Sequence, residues 1–186
     1  MSEFEETRQA MRELVLASDK LTQEEFEHTL LQHAKFLETG GAGGHWETFY
    51  IKNLIFGSYK GGQSTAGTQA KVNFRNLEGV DVLGLRLQYA DCAGIRCENK
   101  SWAEADLEGS LFIDSVLNHC SFQYADLYAT DFSRAAMQNC NFKGASLIET
   151  DFENCDLTGA DFRGATINET TKFKGAILKD ALFDSK

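Results

Sequence analysis

Five cysteines, four histidines and one glycine-threonine segment are the residues whose types could bind a metal, form disulfides or hold a phosphate. The cysteines stand at 92, 97, 120, 140 and 155. Their odd number argues against complete pairing. Cys92 and Cys97 are separated by four residues, not the two of a zinc knuckle, and no histidine lies near enough in sequence to complete a ligand set. His28 and His33 are five apart, a poor spacing for one shared metal on a helix, while His45 and His119 are isolated. Solvated or capping roles are expected for all four. The segment KGGQSTAGTQ at 60–69 contains G-x4-G-T from Gly62 to Thr68, but lacks the lysine of a phosphate loop and its strand-to-helix setting. It reads as a flexible linker rich in small residues. The aspartates and glutamates supply no nucleophile, base and oxyanion set. The expectation is therefore no catalytic residue, no metal, no cofactor and no enzyme activity.

The elements that carry these residues are bounded by composition. A chain of 186 residues with 42% apolar content suits one domain with a sizeable core. It contains no proline, which fits few irregular connections. A net charge of −10 argues against generic binding to nucleic acid or to an anionic membrane. The acidic, amphipathic start MSEFEETRQAMRELVLASDK does not resemble a signal peptide, and no run approaches 18 apolar residues. A soluble, cytoplasmic location is expected.

The stretch CNFKGASLIETDFENCDLTGADFRGA places Phe142, Leu147, Phe152, Leu157 and Phe162 five residues apart. A helix repeats its buried face every 3.6 residues and a strand every two, so neither explains this period. The register extends back through Leu107, Trp102, Cys97 and Cys92 to Val72 and forward to Ile167, giving 20 units from Ala70 to Glu169 with no charged central residue. In most units a small residue precedes the central one by two positions, among them Ala105, Ser110, Cys120, Thr130, Cys140, Thr150 and Cys155. One large and one small inward residue per short repeat predict a solenoid whose units bury their faces only by stacking.

Units such as ADLEG, ADLYA, CDLTG and ADFRG make the chain similar to the pentapeptide repeat family from about Ala70 to its C-terminus. That resemblance implies an all-β solenoid, a right-handed quadrilateral β-helix with four units to a coil. Residues 20 apart then share a face: Leu87, Leu107, Leu127 and Leu147 on one, Phe112, Phe132 and Phe152 on another. Stacked rings add offset contacts to the burial. All five cysteines fall on inward positions, where cysteine serves as a small apolar filler, and free thiols are predicted. Most aspartates precede the central residue, where they bond backbone at corners or meet water.

Residues 1–44 are expected to form an N-terminal helical cap, 45–69 an imperfect first coil with the linker, and 70–186 the repeats. Two helices are read within 2–38. Phe4, Met11, Leu14 and Val15 stripe the first; in the second, Thr22 and Glu25 make a capping box, Leu21 and Phe26 a hydrophobic staple, and Gly40 a terminator. Phe26, Leu30, Ala34 and Leu37 would form its apolar stripe. Phe49 and Leu54 are again five apart, though out of phase with the main register.

Function must then lie on the outer surface. Tyr89, Leu111, Ile113, Val116, Tyr128 and Ile148 are apolar at outward positions and form a candidate interaction patch. The primary expectation is a scaffold or regulator that binds an unidentified protein. The resemblance implies an alternative, because some members of the family act on DNA gyrase, including those that confer quinolone resistance by mimicking DNA. Charge weighs against it: residues 70–186 carry 18 acidic and 12 basic side chains, net −6. Duplex DNA of the same length, about 28 Å at strand spacing, carries about 16 charges.

After Glu169 one extra residue shifts the register, and Phe173, Leu178 and Phe183 continue the core with Ala176 and Ala181 at the small positions. Ile177 and Leu182 occupy outward positions usually given to Asp or Asn. Phe173, Ile177, Leu178, Leu182 and Phe183 are the expected contacts of a homodimer formed through this end.

Overall fold

The computed structural model describes residues 20–42, 44–51, 54–60, 64 and 66–185. The expected first helix, with Phe4, Met11, Leu14 and Val15, lies outside the described residues.

From residue 70 onward each five-residue unit makes one side and one turn of a coil. Parallel bridges join Lys71 to Asp91, Asp91 to Leu111, Leu111 to Asp131 and Asp131 to Asp151, so 20 residues complete four sides. A side is too short for a long strand, and the ladders are made of isolated bridges. The turns follow from the repeat. The Leu107 carbonyl accepts the Ser110 amide at 3.0 Å, and Gly109, third in that turn, has φ +62°. The outward aspartate braces the corner, as where the Tyr128 amide donates to Asp126 Oδ1 at 3.0 Å and the Glu153 amide to Asp151 Oδ1 at 2.8 Å.

The central side chains fill the coil. Leu107, Phe112, Leu117, Phe122, Leu127 and Phe132 are fully buried. Rings one coil apart stack, Phe142 on Phe162 at 4.9 Å and Phe132 on Phe152 at 5.5 Å. Rings from the two phenylalanine walls meet edge to face, Phe142 against Phe152 at 5.4 Å. All five cysteines are buried and free. Those at small positions do more than fill space. Cys120, Cys140 and Cys155 donate their thiols to the carbonyls of Cys97, Leu117 and Phe132. Ser115, Thr130 and Thr150 make the same bond with hydroxyls. The small position thus takes either alanine, as at 105, 125 and 145, or a short donor that bonds to the preceding coil.

Helix α1, Gln23–Phe36, starts with the expected capping box: the Glu25 amide donates to Thr22 Oγ1, and the Thr22 amide to Glu25 Oε2. Leu21 and Phe26 enter the solenoid core, and the Leu21 amide donates to the Asn76 carbonyl at 2.9 Å. The buried face differs from the expected stripe. It consists of Phe26, His33 and Phe36, while Ala34 is exposed. His33 is neither solvated nor a cap. Its Nδ1 accepts the Ala70 amide at 3.0 Å, fixing the helix to the first coil, and burial lowers its pKa to about 4.

The described residues between 45 and 60 form no coil. Strands β1, His45–Ile51, and β2, Leu54–Lys60, pair antiparallel as a hairpin, with His45 opposite Lys60. Cross-strand bonding pairs the facing backbone groups of the two strands locally, whereas a coil side pairs only with the coils before and after it. The described part of the following linker is docked on α1: the Thr68 amide donates to the Gln32 carbonyl at 3.2 Å. At the C-terminus the bridges Asp151–Lys172 and Asp156–Ile177 span 21 residues, so the extra residue is absorbed in one corner.

Candidate functional site

The hairpin lies along one side of the solenoid and changes the meaning of the expected patch. Leu111 and Ile113 are only 2% exposed; they form a small cluster with Ala93, covered by Trp46 of β1. Their outward apolar character is met within the chain, which corrects the expectation of an open surface. Trp46 Nε1 donates to the Gly109 carbonyl at 2.9 Å, holding the indole to a solenoid corner. Tyr59 of β2 joins the parts. Its hydroxyl donates to the Gly41 carbonyl and accepts from the Gly44 amide, each at 2.7 Å. Its ring lies 5.4 Å from Trp46, 5.7 Å from Tyr89 and 6.1 Å from Phe36.

Beside this junction a cleft of about 430 Å³ opens between hairpin and solenoid. Its shape follows from one column of corner residues. Tyr89, Gly109, Ala129 and Glu149 occupy the same left-handed turn position in successive coils, with φ between +52° and +62°. The Tyr89 ring lies over the α-carbon of Gly109, where a β-carbon would stand 2.7 Å from two ring atoms. Ala129, with only a methyl group, leaves a hollow between the Tyr89 ring, which covers Gly109, and Glu149. Trp46, Tyr128, Glu108 and Asp131 also line it.

Two tyrosine–carboxylate pairs order the walls. The Tyr89 hydroxyl donates to Glu108 Oε1 at 2.6 Å, and the Tyr128 hydroxyl to Glu149 Oε1 at 2.8 Å. The bond to Glu149 raises the Tyr128 pKa, because ionising the phenol would place two anions together. Asp131 Oδ1 accepts both the amide and the hydroxyl of Ser133, at 2.8 and 2.6 Å. Burial raises the Asp131 pKa, and the charge of Asp151 adds to the shift. At the rim Lys172 Nζ lies 2.9 Å from Asp151 Oδ2.

Of the six residues expected to form one exposed patch, Tyr89, Leu111 and Tyr128 come together at this cleft. Ile113 lies in the Trp46 cluster. Val116, on the next side, is half-buried and bridged to Arg96 and Ala136, and Ile148 is half-buried outside the cleft lining. Sequence reasoning missed Trp46, Tyr59 and the carboxylates. Two runs separated by two residues are a hairpin signal that could have found the first two. Among the expected dimer contacts Ile177, Leu178, Leu182 and Phe183 are exposed and Phe173 is half-buried. Among the described residues no three histidines, cysteines or carboxylates converge as a metal site, and no helix is long and apolar enough to cross a membrane.

Residues 95–172 match the family model of the pentapeptide repeat region. No curated protein matches the sequence. Among solved structures the chain is similar to Rfr23, a pentapeptide repeat protein of the cyanobacterium Cyanothece 51142: identity is 25%, over 50% of this chain and 64% of that one, with a TM-score of 0.49. It is similar to HetL, a pentapeptide repeat protein involved in heterocyst differentiation regulation from Nostoc sp. strain PCC 7120, at 22% identity over 62% and 54% of the two chains, TM-score 0.40. A third likeness is to QnrB1, a plasmid-mediated fluoroquinolone resistance protein, at 15% identity over 63% and 64%, TM-score 0.46. The chain spans 54% to 64% of the length of these three structures.

Proposed function

We propose, from the premise that residues 95–172 belong to the pentapeptide repeat family, that this protein works without catalysis, by binding another protein on the solenoid side that the hairpin crosses. The cleft between Trp46 and Tyr128 carries the reading, since it sets aromatic rings and carboxylates side by side in a concave surface. In this reading α1 is the cap of the first coil, Trp46 is the fixed edge of the site, and Tyr128 forms its open flank, with Ile148 half-buried one coil beyond it, outside the lining. The last coil supplies a second contact, to another copy of the chain, through Ile177, Leu178, Leu182 and Phe183.

DNA mimicry gains no support from the charges. Lys143 and Arg163 both pair with Asp161, at 3.0 and 2.6 Å, and Lys172 pairs with Asp151. Each of these cations offsets the carboxylate beside it, and the column of Asp161 is otherwise uncharged, with Ser101, Ser121 and Asn141.

Affinity capture from native cell extract tests the reading. The wild-type chain and a Gln138→Ala control on the opposite side should retain the same protein, and Tyr128→Ala with Ile148→Lys should lose it. Equal capture by all three would reject this face as the binding surface.

A further inference from the structure

The cleft is lined by three aromatic side chains and four carboxylates. Trp46 covers one edge, Tyr89 lies over the Gly109 corner, and Tyr128 stands on the open flank. Glu108, Asp131, Glu149 and Asp151 also face the space, and Lys172 is the one cation among the lining residues. Asp131 takes both of its hydrogen bonds on Oδ1, and no donor among the described residues reaches Oδ2. The lining is therefore poor in positive charge and rich in ring faces. Such a surface is complementary to a cation that is planar, weakly hydrated and able to bond two carboxylates.

We infer that this cleft binds an arginine side chain of the partner protein, with the guanidinium against Tyr128 and bonded between Asp131 and Glu149. The inference rests on the protein-binding reading of this face and adds what the partner must present. Arginine fits better than lysine for two reasons. Its flat guanidinium stacks on an aromatic ring while its edge N–H groups reach carboxylates in the same plane, whereas an ammonium is a compact, strongly hydrated point charge. Its donors also suit two acceptors at once. The cleft is larger than one side chain, so flanking backbone can lie over Ala129, whose methyl group leaves the floor low. Burial and the neighbouring charge of Asp151 both disfavour the Asp131 anion in the free protein, and an arriving cation relieves the second of these.

The probe is the blocked pentapeptide acetyl-GGRGG-amide, titrated into the ¹⁵N-labelled full chain at pH 7.5. The indole N–H of Trp46, bonded to the Gly109 carbonyl, is the reporter. Its resonance should shift saturably. The same peptide with citrulline, which keeps the shape and removes the charge, should produce no saturable shift, and the lysine peptide should bind more weakly. Asp131→Asn and Glu149→Gln keep acceptors for Ser133 and for Tyr128, so both should fold normally and weaken the arginine peptide at least fivefold. Equal binding of the citrulline or lysine peptide, or unchanged affinity in both variants, would overturn the inference. A silent titration would do so too, and if Tyr128→Ala with Ile148→Lys still abolished partner capture, the arginine site alone would be rejected.

Discussion

The ring of Tyr89 lies over the α-carbon of Gly109, one coil on, at a corner where Gly109 itself has φ +62°. The same relation links Tyr124 to Gly144 and Phe74 to Gly94. An aromatic residue at a left-handed corner thus takes the space that a glycine 20 residues later leaves open. Gly109→Ala should lower stability by about 1–2 kcal/mol from backbone strain alone, and by more because its β-carbon meets the Tyr89 ring. Gly164→Ala, at φ +73° with no neighbouring atom closer than 3.7 Å, should show only the backbone part. Urea midpoints of the two variants measure the difference, and equal losses would mean that the ring moves aside freely.

His33 makes the junction of α1 and the first coil sensitive to acid. Burial lowers its folded pKa to about 4, so the unfolded chain takes up the proton first as pH falls below 6.5. Stability is thus complete above pH 6.5 and is lost as pH falls toward 4, by up to about 3 kcal/mol from this group. His33→Gln offers the Ala70 amide a neutral acceptor that does not titrate. Wild type minus variant, in unfolding free energy from pH 7.5 to 4, should show this loss; a flat difference would exclude His33 as its source.

The buried thiols should be inert in the native protein. Burial pushes Cys120 up to about 12 and raises Cys140 well above the ordinary thiol range. Ellman's reagent should find no reactive thiol until denaturant is added, and then all five. Because Cys140 donates to the Leu117 carbonyl, Cys140→Ser should be tolerated better than Cys140→Ala, which loses about 1 kcal/mol of hydrogen bonding. The reverse order in thermal unfolding would mean that the position selects for volume alone.

Ile177 is 54% exposed and Leu182 46% exposed on the last coil. For the 186-residue chain, light scattering at micromolar concentration should give twice the 20.7 kDa monomer mass. Ile177→Glu with Leu182→Glu should return the monomer without loss of fold. A wild-type monomer under these conditions would remove the second-copy contact.

The stack of Phe142 on Phe162 is readable from sequence because a fixed period carries both residues to one wall, with no need to know anything distant. The extra residue near 170 is readable for the same reason, since the register resumes at Phe173. His33 is different. Its place depends on the Ala70 amide 37 residues away, and a helical stripe drawn through Ala34 and Leu37 misses the face by one position. Leu111 and Ile113 are visible as apolar residues on an outward side, which predicts that something covers them. That the cover is Trp46 of the same chain depends on how the hairpin folds back, and a period of five says nothing about a segment that does not obey it. Part of the cleft therefore appears in the repeat, as Tyr89, Leu111 and Tyr128, and its other edge does not.

The two ends of the coil stack differ, and this gives disassembly a direction. Phe26 and His33 close the first coil, while Leu178 and Phe183 of the last are open to water. In a stack whose units touch only their neighbours, order is lost first where one neighbour is missing. In a monomer of these 186 residues, amide exchange should begin around 177–183 and advance coil by coil toward lower numbers. Glu149 would loosen before Gly109, so the cleft would lose its open flank while Trp46 still held its corner.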